Sequence, residues 1–276
     1  MINFRNYSNI TKVIIPSSIQ LSNTSCYNMF NSRTNLTTAF TNHPKITNMA
    51  HMFYNCYKLK EEAFCGSLVT NMNGAYYNCP NLTSAPACGP NVNDFSYAFN
   101  NCGNITGTPV CGPLVTNMAN SYQNCKSLTG APVCGSLVTN LRSAYSGCSN
   151  LTGKPVCGTN VTDMTNAYRS CQKLNQVFNI ESKVKYVNYA FYGCSNLPAG
   201  NYYFKSNAIA NLAYCFYGKN NSRRYNIHIP NNTTVISKYI NGGSGYSITG
   251  NTMTWTNNAG KEYYNTAYNI YIYPDL

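Results

Sequence analysis

A cysteine stands at 56, 79, 102, 125, 148, 171 and 194, each 23 residues after the last. A second series, Cys65, Cys88, Cys111, Cys134 and Cys157, keeps the same step. A fixed period of this size describes stacked coils, each too small to bury its apolar face except against its neighbours. Every position of the period then becomes a column running along the stack. The aromatic column is Phe30, Phe53, Tyr76, Phe99, Tyr122, Tyr145, Tyr168 and Phe191. Leucine or isoleucine fills a second column from Leu59 to Leu197, and valine or isoleucine a third from Ile46 to Val184. The expectation is an α/β solenoid of about eight 23-residue coils, one continuous domain with caps.

Within the unit 128–150, Val138, Leu141, Tyr145 and Cys148 are spaced by three, four and three. That spacing predicts one face of a short helical or 3₁₀ return. Leu128 to Val133 reads as the extended half, and Gly135 as the turn between them. Residues 1–22 contain Val13, Ile14 and Ile15 ahead of Pro16, an N-terminal cap strand and turn. The solenoid is expected over 23–230. After Cys194 the period slips, Phe216 lying 25 residues beyond Phe191. Residues 231–276 alternate in polarity with glycine punctuation, which predicts a small C-terminal β module acting as a cap or a docking piece.

The unit resembles the BspA-type leucine-rich repeat. Leu128, Thr129, Val133, Val138, Leu141, Ala144, Tyr145, Cys148 and Leu151 fall on that pattern position by position, and the resemblance covers residues 10 to 230. It implies a leucine-rich-repeat stack and a module for adhesion or protein binding on microbial surfaces. Two departures stand out. The family's proline after the strand is replaced by the cysteines from Cys65 to Cys157. Prolines appear two places earlier, at Pro86, Pro109, Pro132 and Pro155. Because proline donates no ladder hydrogen bond, these columns are expected to interrupt the parallel sheet. Ala85, Thr108, Ala131 and Lys154 replace the first strand isoleucine, and the lysine argues for a solvent-facing column.

Fourteen cysteines invite a disulfide framework. Strands about 4.8 Å apart do bring neighbours of one column within bridging range. The columns hold seven and five members, however, and neither odd number pairs completely. Buried free thiols packing as small hydrophobes are the expected state, partial bridging the alternative. No C-x-x-C and no histidine cluster accompanies them, so no metal is expected.

Chemistry is sparse. His43, His51 and His228 are scattered, His51 on a variable and exposed position; Glu61 and Glu62 are adjacent and make no acid/base pair. Cysteines repeated identically suit a core column better than an activated nucleophile. No phosphate-cradling glycine motif is present, and neither enzymatic activity nor a cofactor is expected. Asn-x-Ser/Thr triplets at Asn35, Asn81, Asn104, Asn150 and Asn160 follow from a composition rich in Asn and Thr.

Charged residues are only 9% of the chain, yet the net charge is +12 because there are only seven acids. Basic residues thicken late, at Arg169, Lys173, Lys183, Lys185, Lys205, Lys219, Arg223 and Arg224. They read either as a solvated face or as a patch for an anionic surface glycan or polymer. Lys173, Lys183, Lys185, Lys205, Arg223 and Arg224 are candidate binding residues, with Thr106, Thr129 and Thr152 on a flat strand face. Nucleic acid is the weaker expectation, since the periodic aromatics belong to the core and cannot stack on bases. The N-terminus lacks the basic start and apolar run of a secretory signal, and no stretch approaches a membrane span. With reduced cysteines and a separate terminal module, this favours a non-catalytic protein assembled inside a cell, such as a bacteriophage fibre or decoration protein in a virion. Residues 231–276 would then serve attachment to a larger assembly or self-association. The alternative is a secreted adhesin on a bacterial surface whose signal precedes residue 1.

Overall fold

The computed structural model describes residues 7, 9–14, 24–40, 43–60, 63–84, 88–206, 209–212, 214–216, 225–230, 234–235, 253–254, 263–265 and 270–275. Among the expectations above, those on Ile15, Pro16, Glu61, Glu62, Ala85, Pro86, Lys219, Arg223 and Arg224 lie outside the described residues.

The stack is a ladder of isolated parallel bridges, one rung per coil: Ser25, Asn48, Asn71, Asp94, Asn117, Asn140, Asp163, Tyr186 and Asn211. Nine rungs are described where about eight coils were expected. The aromatic column lies inside it as a run of near-parallel rings from Phe30 to Phe216, neighbouring centroids 5.2 to 5.8 Å apart. The leucine, valine, methionine and first cysteine columns pack around these rings in one continuous core.

The helical return is corrected. Among the described residues there is no helix; the return is a chain of β-turns. Amide groups alternate in where they donate. Those of Leu141, Ser143, Tyr145 and Gly147 reach the carbonyls of Asp163, Thr165, Ala167 and Arg169 in the next coil at 2.7 to 2.9 Å. Those of Ala144, Ser146 and Cys148 close onto Leu141, Ser143 and Tyr145, three residues back. A helix needs every amide for its own turn, so this alternation excludes one. It requires left-handed residues at two positions per coil. Ser143 and Gly147 have φ of 53° and 77°, and the same signs recur along both columns, in the second as Ser32, Asn55, Asn78, Asn101, Asn124, Ser170 and Gly193. Asparagine and glycine tolerate that region best, which explains their abundance. Tyr97, Tyr189 and Tyr214 in the first column tolerate it worst, at roughly 1–2 kcal/mol each. The inward side chains still fall at spacings of three and four, so the period alone imitates a helix.

The extended half is also reduced. Strands β1 (Lys12–Ile14) and β2 (Thr38–Phe40) pair in parallel at the N-terminal end. No further strand is described until β3 (Asn179–Ile180), which pairs with β4 (Gly200–Phe204) and, through it, with β5 (Tyr225–Pro230). The gap contains the buried Pro109, Pro132 and Pro155. There the tyrosines substitute for the sheet. The Tyr145 hydroxyl accepts from the Val133 amide at 3.2 Å and donates to the carbonyl of the same residue at 2.6 Å. Tyr122 serves Val110, Tyr168 serves Val156 and Tyr76 serves Phe64 in the same way. Phe191 and Phe216 occupy the column where the coil carries β3 or β4 and its backbone is already paired.

Strands β6 (Thr234–Val235), β7 (Met253–Thr254), β8 (Tyr263–Asn265) and β9 (Ile270–Asp275) complete the chain. β6 and β7 form an antiparallel pair; β9 adds in parallel to β5, and β8 closes antiparallel on β9, giving the order β3-β4-β5-β9-β8. The end of the chain thus extends the solenoid's own sheet.

One buried polar atom is unsatisfied among the described residues: Ser121 Oγ, in a column that carries alanine at Ala75, Ala98, Ala144, Ala167 and Ala190, has no partner. Ser121→Ala is expected to raise stability by about 1–2 kcal/mol, the desolvation cost of a lone hydroxyl, read as a higher urea midpoint at unchanged m-value.

Candidate recognition surface

The polar groups of the repeat are spent largely on joining coils. Each thiol of the first cysteine series donates to the aromatic residue's carbonyl 26 positions earlier: Cys56 to Phe30, Cys102 to Tyr76, Cys148 to Tyr122, at 2.9 to 3.1 Å. All fourteen cysteines are free. Burial pushes the thiols of Cys56, Cys102 and Cys194 up to about 12, far from a reactive thiolate. The second series is half-buried and sits against a glycine column. A Cβ built at Gly89 would lie 2.8 Å from Cys65 Sγ and 2.9 Å from the Gly66 carbonyl, so the close approach of adjacent coils selects glycine there. Desolvation raises these thiols too, Cys134 to about 11 and Cys88 and Cys157 to about 12. No group of three or more His, Cys, Asp or Glu among the described residues is placed to hold a metal.

The threonine face carries structural duties as well. Thr106 and Thr152 donate their hydroxyls to the carbonyls of Thr83 and Thr129 in the preceding coil, at 3.1 and 2.7 Å. Asparagines that looked compositional do similar work. Asn81, Asn150 and Asn160 donate to the carbonyls of Tyr57, Lys126 and Ser136, and Asn35 accepts from Lys58. Asn48, Asn71, Asn117 and Asn140 accept the amide two residues on, turning the chain into the β-turn face.

The described basic candidates from Lys173 to Lys185 stand in different columns of the repeat. Lys173 follows Asn150 in its column, Lys183 follows Asn160, and Lys185 follows Thr162. Lys183 donates to Asn160 Oδ1 at 2.6 Å, and Lys205 pairs with Glu181 at 3.1 Å. What the columns do gather is aromatic. At one end of the turn face, His51 is half-buried, not exposed as expected, its ring 5.9 Å from Tyr27 and 5.3 Å from Tyr54. Tyr54 stacks on Tyr77 at 4.3 Å. At the other end, Arg169 lies over Tyr192 and Tyr189, and Tyr189 stacks on Tyr214. The signal available in the sequence was a substitution within a column, tyrosine where other coils carry asparagine or serine.

No helix among the described residues is long and apolar enough to cross a membrane. No match to this chain is found among the curated proteins or the solved structures. The family model for the BspA type leucine rich repeat region matches residues 2–106, 46–152 and 160–249, in six copies. The matched stretches cover most of the chain, and the 23-residue coils, the leucine column and the inward aromatic and cysteine columns are the repeat itself: the chain belongs to the BspA-type leucine-rich repeat family.

Proposed function

We propose that this protein is a non-catalytic recognition scaffold, a rigid solenoid that presents its turn face to a protein or an anionic surface polymer. The observation that carries this reading is a division of labour between columns. The cysteine thiols, the buried tyrosine hydroxyls and many of the threonines and asparagines bond coil to coil, while the outward positions of the turn face change from coil to coil. Solenoids bind through such extended variable faces. Three regions fit this role: an N-terminal cap over 1–22, the solenoid over 23–230, and a terminal module over 231–276 that caps the stack or attaches it. The reduced cysteines favour a virion-associated fibre or decoration protein over the alternative, a secreted adhesin at a bacterial cell surface. Proteomics of purified particles from the source culture tests the first setting: presence of the chain at structural stoichiometry supports it, and absence overturns it. Surface biotinylation of intact cells tests the second. For recognition itself, the purified full chain is applied to protein and cell-wall-polymer arrays. Saturable binding to at least one surface is expected, and no binding to any would overturn the reading.

A further inference from the structure

The turn face changes character in one coil. Three of its columns run Asn117, Asn140, Asp163; Asn120, Ser143, Asn166; and Gln123, Ser146, Arg169, and the next residues are Tyr186, Tyr189 and Tyr192. Tyr214 follows Tyr189 one coil later. The guanidinium carbon of Arg169 lies 4.7 Å from the Tyr192 ring centroid and 5.6 Å from that of Tyr189. Tyr189 in turn stacks on Tyr214 at 4.9 Å, with the rings within 9° of parallel.

Two independent features mark this cluster as more than packing. First, Tyr189 and Tyr214 place two large rings in successive coils of a left-handed column that elsewhere carries asparagine, serine or glycine in most coils, with His51 and Tyr97 the other exceptions. Neither ring enters the core: both are half-buried and lie against each other, so the two tyrosines add a paired aromatic surface to the turn face and not core packing. Second, Arg169 is exposed, and among the described residues its side chain meets, besides the rings, Asn166 Oδ1 at 3.4 Å. The ion pairs among the described residues are Arg142–Asp163 and Lys205–Glu181, neither involving it. A guanidinium lying over aromatic rings keeps its N–H edge open, held ready for a planar two-oxygen acceptor.

We propose that Arg169, Tyr186, Tyr189, Tyr192 and Tyr214 form a binding site for a carboxylate-bearing sugar of an acidic glycan. This rests on the recognition reading above and names its ligand class. The sugar carboxylate forks onto Arg169, its C–H surface packs on the tyrosine rings, and its hydroxyls meet neighbouring amides such as Asn166 and Asn188. Asp163, one coil before Tyr186, is paired with Arg142, and Arg169 stands outside both ion pairs of the described residues, which suits it to one carboxylate. A polyphosphate needs several cations side by side; Lys173 and Lys183 stand in other columns, Lys185 alone adjoins the site residues in sequence, beside Tyr186, and the oligothymidylate probe below tests that alternative.

Isothermal titration of the full chain with a galacturonic acid tetramer, its methyl-esterified counterpart and an oligothymidylate tests the site. The acid tetramer is expected to bind at least tenfold more tightly than either other probe. Arg169→Gln and Tyr189→Asn should each weaken it tenfold or more. Tyr189→Asn restores the residue the column prefers, so its melting temperature should hold or rise, separating lost binding from lost fold. Equal affinity for acid and ester, tighter binding of oligothymidylate, or unchanged affinity in Arg169→Gln overturns the proposal. Absence of tetramer binding in a protein that still binds on the arrays sinks this site alone; absence of both sinks the recognition reading with it.

Discussion

Raising the pH through 9 to 11 is expected to unfold the protein abruptly. Desolvation pushes the thiols of Cys56, Cys102 and Cys194 up to about 12, and it raises Cys79, Cys125, Cys148 and Cys171 as well. In the unfolded chain these thiols ionise near 9.0. Their folded pKa lies above the unfolded one, so their contribution is fully present below about pH 9 and is lost as pH climbs toward the folded value. Each group removes about 1.4 kcal/mol per pH unit beyond its unfolded pKa. The seven members of the column together remove about 10 kcal/mol one unit above it, comparable to the whole stability of an ordinary domain. Tyr76, Tyr122, Tyr145 and Tyr168, raised well above 10.0 by burial, add to the loss from pH 10 upward. Circular dichroism during a pH titration at fixed ionic strength should show one steep transition between about pH 9.5 and 10.5. Native structure at pH 11 would contradict the buried free-thiol core.

The second large effect concerns one oxygen atom. Tyr145→Phe removes the hydroxyl that bonds both the amide and the carbonyl of Val133. In that coil Pro132 precludes a regular strand, and the freed groups have no sheet partner. The expected loss is about 2–3 kcal/mol, the cost of leaving two partly buried backbone groups unpaired. The reverse change, Phe191→Tyr, should also destabilise, because Phe191 is fully buried among the rings of Tyr168, Phe178 and Phe216, with Phe178 at 4.0 Å, and a hydroxyl added there enters an apolar contact. Urea denaturation of both variants checks this. A neutral Tyr145→Phe together with a neutral Phe191→Tyr would show that the hydroxyl does not stand in for the sheet.

The columns were legible in the sequence because burial is a property of the repeat. Val138, Leu141, Tyr145 and Cys148 point inward, and every aromatic of the period is buried. The path of the backbone between them was not legible. A chain of turns with left-handed residues at Ser143 and Gly147 places inward side chains at the same spacings as a helix, so only the alternating amides distinguish the two. The high asparagine content held that information, since Asn120, Asn124, Asn140 and Asn166 each stand where a turn needs a left-handed residue or a side-chain acceptor. For the surface, the net charge drew attention to lysines that the stack distributes over separate columns. The Arg169 cluster was hidden because tyrosine serves two roles here, core ring in one column and surface ring in another. Pairing across coils separates the two, and a linear reading merges them.

Counting thiols tests the account most directly, because the stack is built on cysteines that donate to carbonyls. Unfolded in denaturant without reductant, the chain should expose fourteen reactive thiols. In the native state at pH 8, Cys65, Cys88, Cys111, Cys134 and Cys157 should label first, yet more slowly than a free thiol because burial leaves little thiolate, for Cys88, Cys134 and Cys157 by roughly a hundred to a thousandfold. The Cys56 to Cys194 series should label only at the rate of unfolding. Fewer than half of the thiols reactive before reduction, in the denatured chain, would mean that the columns are bridged and would contradict the ladder.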